Sequence, residues 1–222
     1  MRAIEREPTS LVLRLRLAEA HALMAHGIVV LGWKDQGTAQ AQLASSEAAA
    51  LTVIDALDHG AAEALRARTI PNTSTLTTSE GGAALYWLAS AVHASAALSG
   101  YRALVLDQAF ARRIAERAVP LNDQVDRGGL HRLLASIAAH PADPQLRDLK
   151  LAREHVDRAL AIDSGIANTL AFVEHYAIPA QDRAAIADKL QQLTEQTATT
   201  PEDALARARA EQLTARIEDR LE

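Results

Sequence analysis

In the stretch GGLHRLLASIAAHP, residues 128–141, a histidine and an arginine stand together directly behind two glycines. His131 offers an imidazole able to move a proton or ligate a metal near neutral pH, and Arg132 a fork of donors suited to a carboxylate. A plainer role fits too: the glycines let two helices turn and approach, while His131 and Arg132 bond helix ends or the neighbouring loop. Helical metal sites need ligands spaced to share a face, and the eight histidines contain no H-x-H, H-x-x-H, H-x-x-x-H or E-x-x-H. There is no cysteine, which removes thiol catalysis, disulfides and thiolate ligation. G-x-G-x-x-G, the Walker loop and G-x-S-x-G are absent as well. We therefore expect no catalytic residue, no metal site and no cofactor, and read the chain as a binding protein.

Binding calls on other side chains. The chain holds only two Trp, three Tyr and two Phe, so Tyr86 and Trp87, adjacent in LYWLAS, are a concentrated resource. Neighbours on a helix point to different faces, so one can be core while the other meets a ligand or partner. His155 lies in REHVDRA, where Asp157 and Arg158 offer salt bridges. Asn168 and Tyr176, eight residues apart, fall near one helical face and either hydrogen-bond a ligand in a groove or pack. The candidate ligand- or partner-binding residues are Tyr86, Trp87, His131, Arg132, His155, Asn168 and Tyr176. NTS at 72–74 matches a glycosylation pattern and reads as a loop.

These side chains need helices to position them. Hydrophobic residues are 49% of the chain and aromatics 3%, so the apolar content is mostly Ala and Leu, strong helix formers. Thr9 or Ser10 can cap a first helix to about His26. GIVVLGWKDQG (27–37) interrupts it, and helix resumes to Gly60. The segment 69–82 lacks helical periodicity and is the best boundary candidate. Ser79 can start the next helix, and further helices are predicted at about 102–119, 129–140, 149–162, 166–177, 181–195 and 201–221. The last opens with TTPED, a capping Thr, a proline at the first position and two acids at the positive helix end.

A repeat runs through this pattern. IAERAVPLN (114–122) aligns without gaps on HVDRALAID (155–163), each followed by a turn and another helix, which puts Asn122 and Asp163 in equivalent turns as caps. Helix, short turn, helix is the unit of an α-solenoid. The expected fold is all-α, a tetratricopeptide-like α-solenoid of stacked helical hairpins with HPADPQL (140–146) as an inserted loop. The expected organisation is a single domain over 1–222: N-terminal helices at 1–68, a loop at 69–79 and repeats at 80–222.

From about residue 80 onward the chain resembles the T-component family of TRAP transporters. ALYWLASA (84–91), AERAVPLND (115–123) running into GGLHRLLA (128–135), and AREHVDRALAID (152–163) carry the resemblance. YAIPAQDRAAIADKL (176–190) and PEDALARARAEQL (201–213) extend it. The resemblance implies a non-enzymatic accessory of solute uptake that docks a substrate-binding protein. It also implies a homotrimer and a channel through the helices able to take a small-molecule ligand. Members are typically secreted lipoproteins.

Charge and hydropathy narrow the partners. The 23 Lys and Arg and 28 Asp and Glu are interspersed, so no basic stripe marks a nucleic-acid footprint. No window reaches the ~18 consecutive apolar residues of a membrane span. Without an apolar leader or a lipid-bearing Cys, the chain as written reads as cytoplasmic, and as periplasmic if an export leader precedes it. Two rival readings stay open: a cytoplasmic scaffold holding a partner enzyme, and a helical enzyme or accessory subunit in small-molecule metabolism.

Overall fold

The computed structural model describes residues 10–32, 35–71 and 76–218. Among the described residues the chain is all-α, with ten α-helices and no strand. They are α1 (Leu11–Leu31), α2 (Gln36–Leu57), α3 (His59–Arg66), α4 (Ser79–Ser99) and α5 (Tyr101–Asn122), followed by α6 (Gly129–Ala139), α7 (Leu149–Ile162), α8 (Ile166–Phe172), α9 (Arg183–Glu195) and α10 (Pro201–Glu218). A π-helical turn, Val173–Ala177, continues α8. The Asn72–Ser74 pattern and Thr9 lie outside the described residues.

Helix ends follow local chemistry, with some departures from the pattern. Ser10 does cap α1, its Oγ accepting from the Leu13 amide at 3.4 Å. The helix nevertheless runs past His26, because Gly27, Ile28 and Val30 are buried and packing overrides their weak propensity. It ends at Gly32, whose φ of +63° suits a left-handed cap. The helix expected to reach Gly60 stops at Leu57, since Asp58 turns extended and its carboxylate accepts from the Ala61 amide, opening α3 afresh. α4 starts at Ser79 as expected, with Thr78 capping it by accepting from the Gly81 amide at 3.1 Å. α5 carries on through Pro120, which sits in the last turn and there removes one amide donor without breaking the helix.

The chain divides into two compact units, residues up to 29 with 34–125, and 30–33 with 126 onward. The division falls at 125/126. Leu76, just before α4, is buried.

In the first unit α4 packs against α2 and α5. Its N-terminal half is buried all round from Gly81 to Ala89, as a central helix should be. Ala84, Ala89, Ala111, Ala115 and Ala118 are fully buried, and small side chains of this kind let helix backbones approach closely. At Gly82 the approach is tightest: an added Cβ would lie 2.9 Å from the Cβ atoms of both Leu121 and Asn122. Ser46 joins α2 to α1 by donating to the Ala18 carbonyl at 2.9 Å.

In the second unit α6 packs on α7. One apolar cluster joins Ala135 of α6, Val156 of α7, Phe172 of α8 and Ala177 of the π turn. Another joins Ile166 and Leu170 of α8 to Leu193 of α9 and Ala206 and Ala210 of α10. Each fully buried Leu, Ile or Val in these clusters contributes about 1.5–3 kcal/mol.

The glycines make a test of this packing. Gly82→Ala is expected to lower unfolding stability in urea by about 1–3 kcal/mol. Gly81→Ala should be neutral or slightly stabilising, because its nearest neighbours are 3.5 Å or more from the added Cβ. Equal effects at the two positions would show that α4 and α5 do not meet as closely as described.

Candidate functional site

The polar centre of the second unit grows from an unusual turn. After α5, Asp126 (φ +50°), Arg127 (φ +51°) and Gly128 (φ +93°) take left-handed conformations in succession. Only Gly adopts that region without cost, so neighbours must hold the other two. Gly128 is needed for a second reason, since its Cβ position lies 3.2 Å from Ala159 Cα in α7.

Asn168 of α8, fully buried, provides the hold. Its Nδ2 donates to the carbonyls of Arg127 (2.9 Å), Ala159 (2.9 Å) and Asp163 (2.5 Å), tying the left-handed turn to the α7–α8 turn. Its Oδ1 accepts from Arg132 Nη1 at 2.7 Å. Arg132 in turn donates through Nη2 to Asp126 at 2.8 Å and to Glu202. Arg127 donates to Thr200 (3.1 Å), Glu202 (3.0 Å) and Asp203 (2.9 Å), and pairs with Asp163 at 3.2 Å. The start of α10 is thereby fastened to both turns.

That start has its own cap. Thr200 Oγ1 accepts from the Asp203 amide at 3.1 Å, and Asp203 reaches back to accept from the Thr199 amide and hydroxyl. Burial alone would raise Asp203, but hydrogen bonds from Arg127, Thr200 and Thr199 outweigh it and hold its carboxyl below the ordinary range. Burial likewise disfavours the charge on Arg127, and the hydrogen bonds it donates to Asp203 and Glu202 outweigh it, raising its pKa above the usual value.

The other predicted residues fall into separate places. His131 is buried in α6, and its Nδ1 lies 3.1 Å from Nδ1 of half-buried His155 in α7. That contact is a hydrogen bond when one of the two Nδ1 atoms carries a proton and the other does not. Asp157, expected beside His155, pairs instead with Arg153 at 2.7 Å. Arg153 lies over the rings of Phe172 (4.8 Å) and Tyr176 (4.7 Å), with its pKa raised chiefly by the Asp157 hydrogen bond. Asn168 and Tyr176 serve different neighbourhoods, since Tyr176 packs on the Phe172 cluster and the intervening π turn shifts the register assumed for eight residues of α-helix. Tyr86 and Trp87 belong to the first unit, both buried, with ring centroids 4.6 Å apart. The repeat's two turns also differ: Asp163 caps α7, whereas Asn122 stays inside α5 and donates to the Ser79 carbonyl at 3.3 Å.

Sequence reading missed Asp126, Arg127, Glu202 and Asp203 as partners of this centre. The two acids at 202 and 203 were visible as helix-start residues, yet nothing local marks their pairing with arginines some seventy residues earlier. Chemically the centre is a closed network. Its carboxylates and guanidinium groups face one another, and among the described residues no three His, Asp or Glu are grouped to hold a metal ion.

Comparison with known proteins gives the family. The sequence profile of the TRAP transporter T-component matches residues 38–220, and the chain belongs to that family. The match begins at Thr38 and so takes in α2 and α3, ahead of the motifs from residue 80 that carry the resemblance. No curated protein is similar enough to match. No described helix is long and apolar enough to cross a membrane.

The network carries a pH signature. A carboxyl held below its unfolded value stabilises the fold above about pH 4, and that contribution is lost as pH falls through the folded value. Asp203→Asn is expected to cost about 1–3 kcal/mol at pH 7, because Arg127 loses its most buried carboxylate partner while keeping Glu202 and Asp163, with the gap from the parent narrowing toward pH 3. Denaturant unfolding at both pH values measures it, and a gap that is constant with pH would contradict the assignment.

Proposed function

We propose that the chain acts as the accessory component of TRAP-type solute uptake by docking a substrate-binding protein. In this reading it is a tetratricopeptide-like solenoid whose stacked hairpins present the docking surface and a path for a small-molecule ligand. The observation that supports it is the family match over 38–220 on an all-helical chain. The internal network of the second unit fits a protein that binds through a fixed shape. Arg132 and Asn168 then hold that shape and His131 backs it from within, half-buried His155 and Tyr176 reach the ligand or partner, and Tyr86 and Trp87 stiffen the first unit from its own core. The family further implies a homotrimer working in the compartment of its partner, the periplasm once an export leader precedes the chain.

The test is to titrate the purified chain with the substrate-binding protein of a TRAP uptake system from the same cell, by interferometry, with light scattering for mass. A saturable complex on a trimeric chain is expected, with His155→Ala and Tyr176→Ala weakening it about five- to thirtyfold at a temperature where circular dichroism shows both variants folded. Absence of a complex at micromolar protein would overturn docking, and a monomeric mass would overturn the trimer.

A further inference from the structure

Between α9 and α10 of the second unit lies a cleft of about 310 Å³, near the lower end of the usual size for small-molecule sites. Leu190 and Leu193 of α9 and Ala210 of α10 form its apolar wall. These residues continue into the cluster around Ile166 and Leu170, so packing fixes the wall's shape. Thr194 and Thr214 also line the cleft, but their hydroxyls already donate to the carbonyls of Gln191 (2.7 Å) and Ala210 (3.0 Å) on their own helices. They leave the cleft poor in donors for a polyol or sugar.

Arg207 is the exception. It lines the cleft, and its Nη2 is buried with no hydrogen-bond partner among the described residues. Two residues on, Arg209 pairs with Glu174 at 2.8 Å, and Arg127 and Arg132 are each held by several acids. Glu211, one turn beyond Arg207 and also lining the cleft, is exposed, and no ion pair joins the two among the described residues. A buried guanidinium nitrogen without a partner is costly, and a carboxylate is the group that matches its fork.

We propose that this cleft binds a medium-chain monocarboxylate, with its head group on Arg207 and its alkyl tail along Leu190, Leu193 and Ala210. The apolar wall that takes the tail disfavours a second negative charge there, so a monocarboxylate is taken in preference to a dicarboxylate. The assignment deepens the ligand part of the reading above and rests on it there alone. The chain is titrated without a partner, so failure here leaves docking untouched, and failed docking leaves the cleft untouched.

The experiment is calorimetric titration of the full chain with sodium octanoate. Saturable binding is expected, growing about fourfold per methylene from butanoate to octanoate, with octanedioate weaker than octanoate. Arg207→Ala should weaken octanoate tenfold or more while leaving 1-octanol within about threefold, and Arg207→Lys should restore part of the loss. Ala215→Trp, on the exposed rim, should block the cleft without moving the unfolding midpoint and serves as a second variant should Arg207→Ala fail to fold. No saturation by millimolar octanoate, or octanoate affinity unchanged in either variant, would overturn the proposal.

Discussion

One amide holds the second unit in register. Asn168 has two Nδ2 hydrogens and meets three backbone carbonyls, two of them at turns the chain would not otherwise keep. Left-handed Asp126 and Arg127 each carry a conformational penalty of about 1–2 kcal/mol, and buried carbonyls without donors are costly as well. A single buried side chain answers both, and Arg132 fixes the amide's own orientation by occupying its oxygen. Because the members polarise one another and leave few alternatives, the network specifies a unique arrangement of α6, α7, α8 and the start of α10.

The first unit is organised by a different constraint, the many small side chains where its helices meet. With so few aromatics, density comes from bringing backbones together over alanine and glycine, and Gly82 against the end of α5 is the closest instance. Such an interface tolerates removal of volume poorly, and its addition worse, since no flexible side chain stands by to give way. Arg68 shows how an arginine is used there, lying 5.2 Å from the centroid of the Phe110 ring and pairing with Glu47 and Asp107.

How much of this was legible depends on the range of the interaction. Helices α6, α7 and α10 begin where Gly129, Leu149 and Pro201 predicted, because capping and periodicity act within one or two turns. Gly27 misled, since its effect on helix is smaller than that of the burial around it. Asp58 misled because an aspartate late in a helical pattern reads equally as an interior residue or a cap. The π turn at Val173–Ala177 leaves no plain mark in residue type, so Tyr176 was assigned a face it does not share with Asn168. The pairing of Arg132 with Glu202 was beyond reach altogether: it is set by how helices stack, and composition offers many acids of equal standing.

Comparing the arginines separates scaffold from site more sharply than the histidines do. Arg127, Arg132 and Arg209 each pair with at least one carboxylate, which offsets the cost of burying their charge without a ligand. Arg207 has a buried nitrogen that no described group satisfies, beside an apolar wall that water would not choose to fill. Uncompensated burial is what folding alone would select against, and beside a cleft that cost is the argument for the carboxylate proposed above. On that argument the residue most telling for binding stands in the terminal hairpin, away from the His131–Arg132 pair whose neighbouring glycines first drew attention.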